Sequence, residues 1–279
     1  GVTTGSNNTA IGQEAGEDLT SGISNVLTGL NAGRNITTGS SNIISGPNAG
    51  SFITTASNNV AIGSSAIGTG VTTGGNNVAV GALAGEDLTS GANNFFGGYG
   101  AGKNATTASY AVAIGSAAIG LGVLTGTDNT AIGQSAGLDL TSGTYNLFVG
   151  YLAGTNITTG DQNNLMGYRA GANAITASHT VAIGQNAIGL GVLTGDNNVA
   201  VGRSAGYDLT SGATNVFVGY LAGSNVTTGA DNTILGPNSG DVLTTGSNNT
   251  IIGQSRLCRI DETRKTSKSF RLAWTSSIR

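Results

Sequence analysis

A glycine that closes a short apolar run recurs along almost the whole chain. It stands at Gly12, Gly29, Gly46, Gly63, Gly81, Gly98, Gly115, Gly133, Gly150, Gly167, Gly184, Gly202, Gly219, Gly236 and Gly253, spaced by 17 residues except for three spacings of 18. A unit this short cannot close a core by itself. Stacked on like neighbours it can share one continuous core, which is the logic of a solenoid. The three long units carry residues 66–71 (Ala-Ile-Gly-Thr-Gly-Val) and their counterparts 118–123 and 187–192, and a second period of 69 residues relates 115–183 to 184–252. Helices are excluded by the glycine density and by apolar runs too short for one.

Each unit reads approximately Asn-x-φ-φ-Gly-x-x-Ala-Gly-x-x-φ-Thr-Thr-Gly-x-x, with φ apolar. Four residues before the key glycine stand Asn8, Asn25, Asn42, Asn59, Asn77, Asn94, Asn129, Asn146, Asn163, Asn198, Asn215, Asn232 and Asn249, with Ala111 and Thr180 in the two remaining units. Stacked rung on rung, these amides can form a structural ladder of hydrogen bonds along the axis. Asn also tolerates left-handed turns, so a corner role competes with the ladder. The glycine columns supply corners of positive φ or close backbone approach, and the Ala column leaves room for only a methyl group. A second apolar column follows seven residues after the key glycine, or eight in long units, as at Leu19, Ile36, Ile53, Val71, Leu88, Ala105 and Val123. Two short strand-like runs per unit therefore predict an all-β parallel β-solenoid of about fifteen rungs over residues 1–255. At ~4.8 Å per rung it makes a rod of roughly 67 Å.

The strand before the key glycine is apolar on both faces, as in Val60-Ala61-Ile62, Val112-Ala113-Ile114 and Val216-Phe217-Val218. Successive side chains point to opposite sides, and a solenoid has one interior, so the second face needs a cover. A stripe repeating along a rod is self-complementary under rotation about the rod axis. The expected cover is another copy of the same chain. Which face looks inward is open at this level.

Composition narrows the function classes. Charged residues are 9% of the chain, against roughly 25% in ordinary soluble domains. Glycine fills 48 positions without occupying every third one, which excludes collagen. No apolar run approaches the ~20 residues of a membrane helix, so membrane insertion is not expected. Single His179 and Cys258 exclude multi-thiol zinc sites, an intrachain disulfide framework and any two-histidine site. Residues 1–255 hold only four basic side chains against twelve acidic ones, not the clustered basic face of a nucleic-acid binder.

Candidate chemistry is sparse. Gly68-Thr69-Gly70 recurs with the period and precedes no helix, so it does not make a phosphate loop. Asp18, Asp87, Asp139 and Asp208 share a corner column with Asn35, Asn104, Asn156, Asn173 and Asn225. Calcium could use such oxygens, yet Asp and Asn at turns have a sufficient local explanation. No catalytic, cofactor or metal residue is assigned. Adjacent Thr columns (Thr37 and Thr38, Thr54 and Thr55) suggest an ice-binding face, but neighbours on a strand point opposite ways, so at most one file is exposed. Tyr99, Tyr151, Tyr168 and Tyr220 follow the key glycine in a column that also accepts Gln, Arg and Pro, so it should be exposed. They are candidate receptor contacts that could stack on a sugar. Packing against Phe96, Phe148 and Phe217, three residues before three of them, is the blander expectation.

At these motifs two families come into view. The run Asn59-Val60-Ala61-Ile62-Gly63 resembles the head repeat of trimeric autotransporter adhesins, which form trimers of parallel β-rolls. The longer unit Asn7-Asn8-Thr9-Ala10-Ile11-Gly12, followed by Ala15-Gly16 and Leu19-Thr20-Ser21-Gly22, is similar to repeats of bacteriophage tail-fibre proteins. The resemblance covers about residues 1–255. It implies a homotrimeric extracellular fibre, on a virion or a bacterial surface, that serves as a shaft or attachment segment without catalysis. A tail fibre is the first reading, a bacterial adhesin head the second and an ice-binding solenoid the third. Implied partners are the chain itself and a cell-surface glycan or protein receptor.

The ends depart from the pattern. Val2-Thr3-Thr4-Gly5 belongs to a unit whose first strand is missing, as expected of a fragment or a processed product. Residues 256–279 hold Cys258, Trp274 and most of the basic side chains. They read as a cap for the last rung, a basic tail, or a reading-frame artefact.

Overall fold

The computed structural model describes residues 4–254; the expectations for Gly1 and for 256–279 lie outside them. Fifteen three-residue strands follow one another, from β1 (Thr9–Ile11) to β15 (Thr250–Ile252), one per unit. Their order in a single sheet is their order in sequence. Each pairs in parallel with the next without offset, as in Val112↔Thr130, Ala113↔Ala131 and Ile114↔Ile132. The chain is an all-β solenoid of about fourteen turns, each of about 17 residues.

The middle residue of each strand faces the core and its two neighbours face out: Ala61 is fully buried while Ile62 beside it is 40% exposed. The inward column mixes Ala with large side chains, and the three long units show how the core stays filled. In the three long units the residue four past the key glycine is Ile67, Ile119 or Ile188, in left-handed backbone at φ 47–48° where most other units have glycine. Left-handed φ is strained for a β-branched side chain, and full burial of all three side chains offsets it. Phe148, two rungs beyond Ile119, lies so close to Gly137 that a Cβ there would meet its ring at 2.6 Å and Ile119 at 3.6 Å. Ile119 and Phe148 thus fill, from either side, the space left by Ala131 and Gly137. Ile67 with Phe96, and Ile188 with Phe217, repeat the device.

Two expectations need correction. The second apolar run does not form a continuous strand; it makes only isolated bridges, Ile53↔Thr72, Ala105↔Leu124 and Ala174↔Leu193. The cause is a converging turn, because the Thr37 carbonyl accepts from the N–H groups of Thr20, Ser21 and Gly22 at 3.0, 3.2 and 3.3 Å. One acceptor serving three donors leaves no alternating ladder. In long units, moreover, Val71, Val123 and Val192 are not the inward residues; they are 58%, 56% and 51% exposed, and Thr72, Leu124 and Leu193 are buried instead. The extra residue is absorbed in a wide corner, where the Thr69 and Gly70 N–H groups both reach the Glu86 carbonyl at 2.9 and 3.4 Å. The inward position therefore falls one residue later.

The corner and ladder roles of Asn separate cleanly. The residue preceding the ladder position is left-handed in every unit, as Asn58, Asn76, Tyr110 and His179 are. Ladder residues are not. The key glycine is indispensable for another reason: a Cβ on Gly133 (φ +137°) would lie 2.4 Å from the Gly150 carbonyl oxygen one rung on.

Candidate functional site

The most extensive candidate surface is the outward face of the fifteen strands. Its two files run through Val26 and Thr28, Val78 and Val80, Phe95 and Gly97, Val112 and Ile114, Val181 and Ile183, and on to Thr250 and Ile252. None of the outward positions carries a charge, although most other surface columns do. Ile11, Val26, Ile43, Ile62, Val80, Phe95, Ile114, Ile132, Met166, Ile183, Val218 and Ile252 are all solvent-exposed large hydrophobics in the single chain. An uncharged, largely apolar stripe of this length is unusual on a monomer.

The tyrosine column borders this face. Tyr99, Tyr151, Tyr168 and Tyr220 are all exposed. Tyr151 and Tyr168 lie one rung apart and stack on each other, with ring centroids 5.4 Å apart and planes inclined by 17°. The Arg203 guanidinium lies 4.7 Å from the Tyr220 ring centre and donates to the Tyr220 hydroxyl at 2.8 Å. Such pairing turns one ring face of Tyr151 and of Tyr168 toward each other and away from solvent. Tyr99 stands apart, three rungs before Tyr151. The expected packing of Phe96, Phe148 and Phe217 beneath these corners is corrected: all three are fully buried in the core. On the opposite border, Tyr110 and Tyr145 are equally exposed. Sequence reasoning passed over them because that column otherwise holds polar turn residues.

The Asn column has its side chains in the interior, with Asn25, Asn42, Asn59, Asn77, Asn94, Asn129, Asn146, Asn163, Asn198, Asn215 and Asn232 all buried. The Asn59 Oδ1 accepts from both the backbone N–H and the Nδ2 of Asn77, at 3.0 and 3.1 Å. Asn77 in turn donates from Nδ2 to the Gly91 carbonyl at 3.0 Å. Asn8 starts the series by accepting from Asn25, and Asn249 ends it by donating to Asn232. The amide-to-amide series is interrupted at Ala111 and Thr180, which receive the Asn94 and Asn163 carbonyls only through their backbone N–H groups.

The two Thr columns differ. The first is half-buried over most of its length, and its hydroxyls donate to the next rung's carbonyl, as Thr89 does to Thr106 at 2.8 Å and Thr141 to Thr158 at 2.9 Å. The second, including Thr38, Thr55, Thr107 and Thr159, is exposed. In the polar corner column, Asn104 and Asn173 donate to the Leu121 and Leu190 carbonyls at 2.8 and 3.0 Å, which holds the wide corners of the next long units. Arg34 spans two rungs to Glu17 at 2.7 Å and Glu14 at 3.3 Å. The hydrogen bond to Glu17, and then the charge of Glu14, raise its pKa above the ordinary value. Among the described residues no group of three or more His, Cys, Asp or Glu side chains is placed to hold a metal ion, and no helix is long and apolar enough to cross a membrane.

No protein-family model matches the chain, and no curated protein matches it as a relative.

Proposed function

We propose that the chain is a structural and attachment segment of an extracellular homotrimeric fibre of the tail-fibre type, with no catalytic role. One observation supports this above the others: the outward strand face is uncharged and largely apolar from β1 to β15. Its features repeat at the spacing of the rungs, so the surface that fits it best over its whole length has the same repeat, and another copy of this chain supplies one. The face measures about 67 Å by ~10 Å, about 700 Å² in outline, close to the ~800 Å² per partner of a stable interface. Three such faces around a common axis form a closed prism in which every stripe is covered. The rod then presents the border of Tyr99, Tyr151, Tyr168 and Tyr220 outward to a surface glycan or protein. The single exposed Thr file offers no flat two-file array, which weighs against the ice-binding alternative.

Sedimentation at micromolar concentration should give three times the chain mass of 27.3 kDa. Replacing Val112 and Ile114 together by Lys should yield a folded monomer, because both point away from the core. Ala113→Lys should prevent folding, because it places a charge in the core. A wild-type chain that sediments as a folded monomer would refute the assembly.

A further inference from the structure

A repeating stripe carries a problem of its own. Shifted by one rung along the axis, two such stripes still meet apolar side chains with apolar side chains, so the repeat itself does not define how copies align. Register must come from positions that break the pattern. The strongest break lies on β10 (Asn164–Met166), where an amide replaces the Val, Leu, Ile, Phe or Thr found at the same place in every other strand. Asn164 is exposed, and, unlike the ladder residues, its side chain makes no hydrogen bond among the described residues. It borders an open recess of about 440 Å³ whose other lining residues are Tyr145 and Gln162. That recess gives the amide room and polar neighbours at the edge of the stripe.

We propose that Asn164 sets the axial register of the assembled rods, an inference that rests on the self-assembly proposed above. In copies related by rotation about the rod axis, equivalent residues lie at one height. The Asn164 amides are then brought to the same level as each other and as the Gln162 and Tyr145 groups of neighbouring copies, where donors and acceptors can pair. A shift of one rung, about 4.8 Å, sets every Asn164 against Leu147 and Val149 or against Val181 and Ile183. Each copy would then bury an unpaired amide, which is strongly disfavoured. A single buried Asn plays the same register-setting part in coiled coils.

The test uses chains of residues 1–279 carrying Cys258→Ser and one new cysteine each. Chains with Val199→Cys are co-assembled with chains bearing Val201→Cys, on the same rung, or Val218→Cys, one rung further on, and mildly oxidised. With Asn164 present, the same-rung pair should cross-link at least about tenfold more than the adjacent-rung pair. With Asn164→Val, the assembled mass should be unchanged and the ratio should fall toward unity, while Asn164→Gln should restore the preference. Valine occupies the equivalent position on the next rung, at Val181, so this variant folds by the same rules. An assembled Asn164→Val variant that keeps the tenfold preference would overturn the register role and leave the assembly standing. Chains that sediment as monomers would overturn both.

Discussion

Asn77 shows how much one side chain in this fold is asked to do. It donates to Asn59 and to the Gly91 carbonyl and accepts from both nitrogens of Asn94, at 2.9 to 3.1 Å. Truncation would leave the Asn94 backbone N–H and the Gly91 carbonyl without these partners, while the Asn94 side chain keeps its bond to the Ala108 carbonyl, and each such loss costs about 1–3 kcal/mol. Asn77→Ala should therefore lower the midpoint of thermal unfolding by several degrees, whereas Gln13→Ala, on an exposed corner, should leave it unchanged. The converse variant is more telling. Ala111 interrupts the series while its backbone N–H still bonds Asn94 Oδ1 at 2.9 Å, so Ala111→Asn should re-join the ladder and raise the midpoint. Equal and negligible shifts for Asn77→Ala and Gln13→Ala in calorimetry would mean that the amide ladder adds nothing beyond corner geometry.

At the scale of the rung, stability is expected to be local, since each turn touches only its neighbours. The Ile119–Ala131–Phe148 arrangement makes this testable. Phe148 is fully buried, and its ring fits against Gly137 and Gly154 so closely that a Cβ on either would lie within 2.8 Å of it. Phe148→Ala should cost about 3–5 kcal/mol. Hydrogen exchange should show the loss concentrated in the turns around β9 (Leu147–Val149), with β2 (Val26–Thr28) retaining its protection. Uniform loss along the rod would contradict a nearest-neighbour core. This is also where the sequence was only partly legible. The period alone places one strand before each key glycine, because strand and corner recur at fixed offsets. It does not orient the strand, since Val60, Ala61 and Ile62 are all apolar and only packing tells the small inward residue from its larger neighbours. Nor does hydrophobicity find the inward residue of the first long unit: Val71 is the more apolar choice, yet Thr72 is turned in and bonds the Leu88 carbonyl at 2.8 Å. For the candidate site, tolerance of Gln, Arg and Pro made the tyrosine column legible as exposed. Asn164 was missed, hidden behind ladder residue Asn163, and its signal was an amide standing in a column of Val, Leu, Ile, Phe and Thr.

For the whole molecule, the distribution of charge bears on whether the rod does chemistry. Among the described residues the ion pairs, Arg34 with Glu14 and Glu17 and Lys103 with Glu86, tie adjacent turns at the surface, where they are screened by water. The single histidine, His179, occupies a left-handed corner at φ 55° and is exposed. Acid–base catalysis needs two groups held in environments that drive their proton affinities apart. The Asp residues of the corner column instead share one repeated environment at the surface, and the neighbouring Asn side chains spend their amides on holding corners. We therefore expect purified protein to leave polysaccharide and peptide substrates intact while it binds to a cell surface as an assembled rod. The sharpest challenge comes from Asp139 and Asp208, which recur at the same place in successive 69-residue periods and could in principle act together across copies. If the protein degraded a surface glycan, and Asp139→Asn or Asp208→Asn abolished that activity without dissociating the assembly, the structural reading would fall. Loss of activity only together with loss of assembly would trace the effect to folding instead, and wild-type material that releases no reducing ends over prolonged incubation would support a fibre that holds rather than cuts.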